Sequence, residues 1–246
     1  MSDGSTLEVE RSRGRVVGIA ALFSVFTVWG TVVFANSTTV RETPGRPGAR
    51  VDETQFDRGR QLVDFHSGLS DQAIAAGLRC VGLLLTIAVG VYLYSMVRAR
   101  NPSVSRRLLW VAVASPVLVA AATVFGFLAL RDVADTFVSS GPRTSDRARD
   151  LANDSATLKT AGAFDLLSRA AFGFWVGMAS IQAMRVGLLT RFLGYWGLGA
   201  GGALVLLPVG DAMFIGWLAS IGILSLGYWP GGRPPAWRST RALGAD

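Results

Sequence analysis

The sequence predicts an all-α membrane protein, a bundle of six transmembrane helices, and three observations predict it. Half of the 246 residues are hydrophobic, only 17% are charged, and mean hydropathy is positive, which sets the chain apart from soluble proteins. The apolar residues gather in blocks about as long as a bilayer is thick, instead of forming amphipathic stripes. Arginines cluster beyond the ends of these blocks on alternate connections.

Residues 1–15 are polar and end in Arg11, Arg13 and Arg15. The charge-free run 16–35 is the first predicted span, long enough for about 30 Å of hydrocarbon, with Trp29 toward its far end as an interfacial aromatic. It is too long for a signal-peptide core and no small-residue cleavage pattern follows, so it reads as a retained helix. Residues 36–72 form a polar connection. Its RETPGRPGAR stretch (41–50) reads as irregular. Residues 51–68 set Phe56, Leu62, Val63 and Phe65 among charges at helical spacing, as a short amphipathic helix on the membrane surface or against the bundle would.

Ser70, followed by Asp71, reads as an N-cap before the second span, 73–97. The turn 98–107 carries four arginines and no acid. The third span, 108–130, is uncharged and contains Pro116, which removes one backbone hydrogen bond. A second polar connection, 131–160, should be helical over 144–160 from a Thr144 or Ser145 cap. Spans four, five and six cover 161–184, 192–210 and 212–232, with Asp211 at the turn between the last two. The tail, 233–246, is proline-punctuated and reads as extended.

Arginine asymmetry orients the bundle. The N-terminus places three arginines directly before the first span, the 98–107 turn, the 185–191 turn and the tail are basic, and the connections 36–72 and 131–160 balance both signs. Both termini are therefore expected in the cytoplasm, and both long connections outside a cell (plasma, or inner) membrane. Trp110, Tyr228, Trp229 and Trp237 would form the cytoplasmic aromatic belt. The approaches to spans two and four are alike: Arg58-Gly-Arg60-Gln-Leu62 and Arg147-Ala-Arg149-Asp-Leu151 each precede an intramembrane arginine, Arg79 and Arg169. Spans one–two and three–four would then be a parallel duplication.

Charged side chains inside a span cost roughly 2.5–3.5 kcal/mol each at its centre and usually face the protein interior. Asp165 and Arg169 are four apart on one helix face and can pair. Arg79 enters the membrane from the same side, and Asp211 caps that side. The expectation is one outer-leaflet polar cluster of Arg79, Asp165, Arg169 and Asp211. It would serve as a structural ion network, as an anion or lipid-headgroup site, or as a proton or ion path through Asp165. Small-residue pairs at Gly173/Gly177, Gly197/Gly201 and Gly216/Ser220 point to close packing of spans four, five and six.

One cysteine, Cys80, and one histidine, His66, exclude an intramolecular disulfide, thiolate metal sites and bis-histidine ligation. Asp132 and Asp135 lack the second motif of an aspartate-rich metal site and read as an interfacial charge patch. No GxSxG, P-loop or dinucleotide fingerprint occurs, and Ser168 has no base beside it except Asp165, so no catalytic residue, metal or cofactor is expected. The net charge of +7 is explained by span-flanking arginines, and no basic stripe with interleaved aromatics suggests nucleic acid. Lys159 is the only lysine, a skew that suggests a GC-rich, actinobacterial genome.

The segments MRVGLLTRFLGYWGLGAGGALVLLP (184–208), GYWPGGRPPAW (227–237) and SSGPRTSDRARDL (139–151) resemble a group of uncharacterised multi-pass membrane proteins of actinobacteria. The resemblance covers roughly the second half of the chain and implies an inner-membrane protein without an assigned activity. Two functions fit. One is a non-enzymatic scaffold or accessory subunit whose partners are membrane lipids and other membrane proteins. The other is a small transporter or channel for an anion, lipid or proton that uses the arginine–aspartate cluster. A polar, water-reachable cavity between spans two and four would favour the second, and a dry, paired cluster the first.

Overall fold

The computed structural model describes residues 3–39, 58–142, 144–207 and 209–238. These form eight α-helices and no strand: α1 (Asp3–Thr39), α2 (Arg58–Ser67), α3 (Leu69–Arg100), α4 (Arg107–Ser139), α5 (Ser145–Asp154), α6 (Ala156–Arg185), α7 (Arg191–Leu206) and α8 (Gly210–Leu226). A 3₁₀ turn, Pro235–Arg238, follows. The predicted RETPGRPGAR loop and most of the tail lie outside the described residues. Three segments are long and apolar enough to cross a membrane: Ser12–Gly30 of α1, α3 and α4. This is therefore a helical membrane-type bundle. Helix α6 has the length but carries Asp165 and Arg169, whereas α7 and α8, with 16 and 17 residues, are the short members.

The six longer helices close into a ring in the order α1, α3, α4, α6, α7, α8, with α8 returning to α1. Small residues set the close contacts. Gly14, Val17, Gly18, Ala21, Ser24 and Thr27 make the buried stripe of α1, and the Ser24 hydroxyl donates to the Gly82 carbonyl of α3 at 2.7 Å. Where α6 meets α7, a methyl on Gly173 would overlap the Gly201 carbonyl, and one on Gly201 would overlap that of Gly173. The Gly173/Gly177 and Gly197/Gly201 pairs thus face each other within one chain. The ring is filled by Phe172, Trp175, Phe214 and Trp217, whose centroids follow at 5.4 Å (172–175), 5.0 Å (172–214) and 6.2 Å (214–217).

A smaller core sits beyond one end of the ring. Leu62 of α2, Val133, Ala134 and Phe137 of the last turns of α4, and Ala148 of α5 bury one another there. The two long connections therefore pack together through α2 and α5. Thr144 caps α5 by accepting from the Arg147 amide, and Ser155 caps α6 by accepting from Leu158. Ser155 thereby splits the single helix expected over 144–160 into two.

Several expected boundaries are corrected. Helix α1 begins at Asp3, inside the expected polar N-terminus. Ser70 is not a cap: α3 begins at Leu69 after Gly68, with no side-chain cap bond. Helix α4 continues nine residues past 130, because Val133, Ala134 and Phe137 give its exposed end an apolar face to bury. It also runs unbroken through Pro116. The sixth helix ends at Leu226 rather than 232, since Gly227 adopts φ +90° and its amide bonds the Ile223 and Leu224 carbonyls, closing the helix. Asp211 accordingly lies in the first turn of α8, not in a connecting turn. The tail is not extended as far as Arg238. Ala236 and Trp237 are buried in the bundle, so Trp237 is no belt residue, whereas Trp110 and Tyr228 are exposed.

Candidate functional site

Helix geometry brings the four candidate residues to one level of the ring. Asp165 and Arg169 lie one turn apart on α6, and Arg169 Nε donates to Asp165 Oδ2 at 2.8 Å. Asp211 enters from the first turn of α8, where a carboxylate suits the positive end of the helix dipole. It accepts from Arg169 Nη1 at 3.4 Å on Oδ1 and from Arg79 Nη2 at 3.3 Å on Oδ2. The result is an alternating row, Arg79–Asp211–Arg169–Asp165, that ties α3, α8 and α6 together with no net charge. Its side chains are 25–43% exposed, so the row is neither dry nor free in solvent.

A cavity of about 800 Å³ accounts for the exposure of two of them, Arg79 and Asp211. It opens among α1, α3, α4 and α8, and its wall includes Val28, Gly126, Phe127 and Ile215 together with Arg79 and Asp211. It is therefore an apolar chamber with one guanidinium and one carboxylate in its wall. On the other side of the row, Arg79, Arg169 and Asp211 border a void of about 20 Å³ closed by Phe172 and Phe214, enough for roughly one water. These two rings pack edge to face, with centroids 5.0 Å apart.

Ser168, singled out as the nucleophile without a base, donates its hydroxyl to the Asp165 carbonyl of its own helix at 2.8 Å and is buried. His66 Nδ1 lies 2.9 Å from Asp135 Oδ1, and Arg131 Nε lies 3.6 Å from the same carboxylate's Oδ2. The first contact joins α2 to α4, and the second lies within α4. Among the described residues no group of three or more metal-ligating side chains forms.

The sequence reading missed a second charged assembly at the opposite end of the ring. Arg100, read only as one of four turn arginines, has a side chain with no exposure. Its Nη1 and Nη2 donate to Glu10 Oε1 and Oε2 at 3.2 and 3.0 Å. Nη1 also donates to the Met96 carbonyl, and Nε and Nη2 to the Ala236 carbonyl at 3.0 and 2.7 Å. All five guanidinium N–H groups are used. Nearby, Tyr92 donates to the Glu10 carbonyl at 3.1 Å, and Trp237 Nε1 to the Leu188 carbonyl at 2.9 Å. These bonds join the start of α1, the end of α3, the α6–α7 turn and the C-terminal 3₁₀ turn. Nothing in RARNPSVSRR separates Arg100 from its neighbours; only the fold does.

A family described as a domain of unknown function, DUF4386, matches residues 55–229, well over half of the chain. The chain belongs to the DUF4386 family. Comparisons with curated proteins and with solved structures return no match. The DUF4386 segment contains all four residues of the row and Arg100, while Glu10 and Ala236, which hold Arg100, lie on either side of it.

Proposed function

We propose that this DUF4386 protein is a six-span protein of the cell membrane, with both termini cytoplasmic, that admits a small ligand from the extracytoplasmic side into the cavity bounded by Arg79 and Asp211. The observation that carries the reading is the cavity itself. A chamber of about 800 Å³ with apolar walls and a pair of opposite charges has the size and lining of a ligand site, and in a membrane protein intramembrane charges beside such a chamber mark substrate or ion paths. The closed rings of Phe172 and Phe214 below it fit an outward-open, inward-closed state of a small transporter. Six spans are supported by the ring, in which short α7 and α8 pack beside the longer helices. Helices about 24 Å long are accommodated by local thinning of the bilayer. The similar pairs α2–α3 and α5–α6, each a ten-residue helix, a one-residue joint and a long helix, support the parallel duplication. The reading is non-enzymatic, and the resemblance to actinobacterial membrane proteins fits an inner-membrane location.

One observation favours the accessory-subunit reading: every member of the charged row has a partner inside the chain. Native mass spectrometry of the protein purified in mild detergent from its own host separates the two. The transport reading predicts a chain carrying a small non-protein adduct that disappears in Gly126→Trp, a substitution that fills the cavity where a new Cβ meets nothing within 4 Å. A stoichiometric protein partner, with no adduct, would establish the accessory role instead.

A further inference from the structure

At the end of the ring opposite the Arg79–Asp211 row, a groove of about 660 Å³ lies between the α6–α7 turn and the C-terminal strap. Arg185, Arg191 and Arg233 line it, and no acidic residue does. The three differ in employment. Arg233 is held by the Leu224 and Ser225 carbonyls and lies 5.2 Å over the Trp237 ring, so it fixes the strap. Arg185 and Arg191 are exposed, and no carboxylate among the described residues lies within ion-pair distance of either. They bracket a five-residue turn, and Thr190, also in the groove wall, caps α7 there. Two exposed cations in one groove, with no counter-charge among the described residues, call for an anion.

The surroundings say which kind. Tyr195, 62% exposed, lines the groove, and Phe192 and Leu198 are exposed beside it on α7. Trp229 lines the strap side. Aromatic side chains at the polar end of an apolar helix are the pattern of a membrane–water boundary. Basic pockets between helices at that level take phosphate-bearing head groups. We infer that this groove is a binding site for the phosphate of an anionic phospholipid, held by Arg185 and Arg191, with the acyl chains lying along the exposed apolar side of α7. The site is separate from the cavity of the proposed function; it rests on that reading's six-span placement of α7 but not on a ligand in the cavity.

The test is native mass spectrometry of the delipidated full-length protein titrated with dioleoyl phosphatidylglycerol, with zwitterionic dioleoyl phosphatidylcholine, whose phosphate is already paired with its own ammonium, as the net-neutral control. Wild type should bind the glycerol lipid at lower concentration. Arg185→Gln/Arg191→Gln should weaken that binding roughly twenty-five-fold, at about fivefold for each arginine, and leave the choline lipid unchanged. Both side chains are exposed, so the fold survives the change; Arg185→Lys/Arg191→Lys should keep most of the binding. Arg106→Gln/Arg107→Gln, at exposed arginines of the neighbouring turn, should cost little. Equal binding of the two lipids, a preference that survives the 185/191 exchange, or an equal loss at 106/107 would overturn the site. Displacement of the lipid by millimolar inorganic phosphate alone would overturn the phospholipid assignment in favour of a soluble anion.

Discussion

Charged residues of similar appearance in the sequence hold very different positions in the molecule. Arg79, Asp165, Arg169 and Asp211 stood out because they interrupt apolar runs, where a charge demands a partner. Their grouping was legible because helical spacing and a common direction of entry bring them to one level. Arg100 sat in a polar turn, where an arginine needs no explanation, and its burial arises from α1 and the tail closing over it. The consequence is testable. Replacing a fully bonded, buried arginine leaves Glu10 enclosed without its counter-charge, and such removals cost about 3–5 kcal/mol. Arg100→Ala should therefore lower the thermal midpoint in detergent far more than Arg98→Ala, whose side chain reaches only the Tyr94 hydroxyl and ring of its own helix. Equal midpoints for the two variants would show that the Arg100 bonds contribute nothing to holding the chain ends.

The helices themselves were readable wherever apolar runs exceed a bilayer's thickness, and less so where polar residues extend them. The last turns of α4 are helical because α2 and α5 bury Phe137 and Val133, a long-range effect that no local window contains. The split at Ser155 and the end of α8 at Gly227 depend on single residues with capping or left-handed geometry. The Gly173/Gly177 and Gly197/Gly201 pairs were visible as motifs, but that each packs against the other is a property of the fold. Gly201→Ala puts a methyl against the Gly173 carbonyl and should destabilise the bundle by about 1–3 kcal/mol through overpacking. Gly202→Ala, one position on, meets nothing within 4 Å and should stabilise α7 by up to about 1 kcal/mol from helix propensity. Thermal unfolding of the two variants in the same detergent reads the contrast, and the same sign for both would refute the α6–α7 contact.

Among the described residues, the molecule is a ring of six helices with a row of paired charges at one end, a filled aromatic centre, and at the other end a latch that joins α1 to the 3₁₀ turn through Arg100. Arg79 and Asp211 of the row line an apolar chamber, while Phe172 and Phe214 border the small void beside the row. Composition and arginine asymmetry suggested this polarity. They did not contain the chamber, which residues of α1, α2, α3, α4 and α8 line together. The direct measurement is labelling of single cysteines on intact cells with a membrane-impermeant maleimide, in a Cys80→Ala background. Thr123→Cys faces the chamber, and Ser103→Cys is an exposed position on the turn at the far end. The account predicts that Thr123→Cys is labelled from outside and that Ser103→Cys is labelled only after permeabilisation. Labelling of Thr123→Cys solely after permeabilisation would contradict an outward-opening chamber and the orientation of the bundle with it.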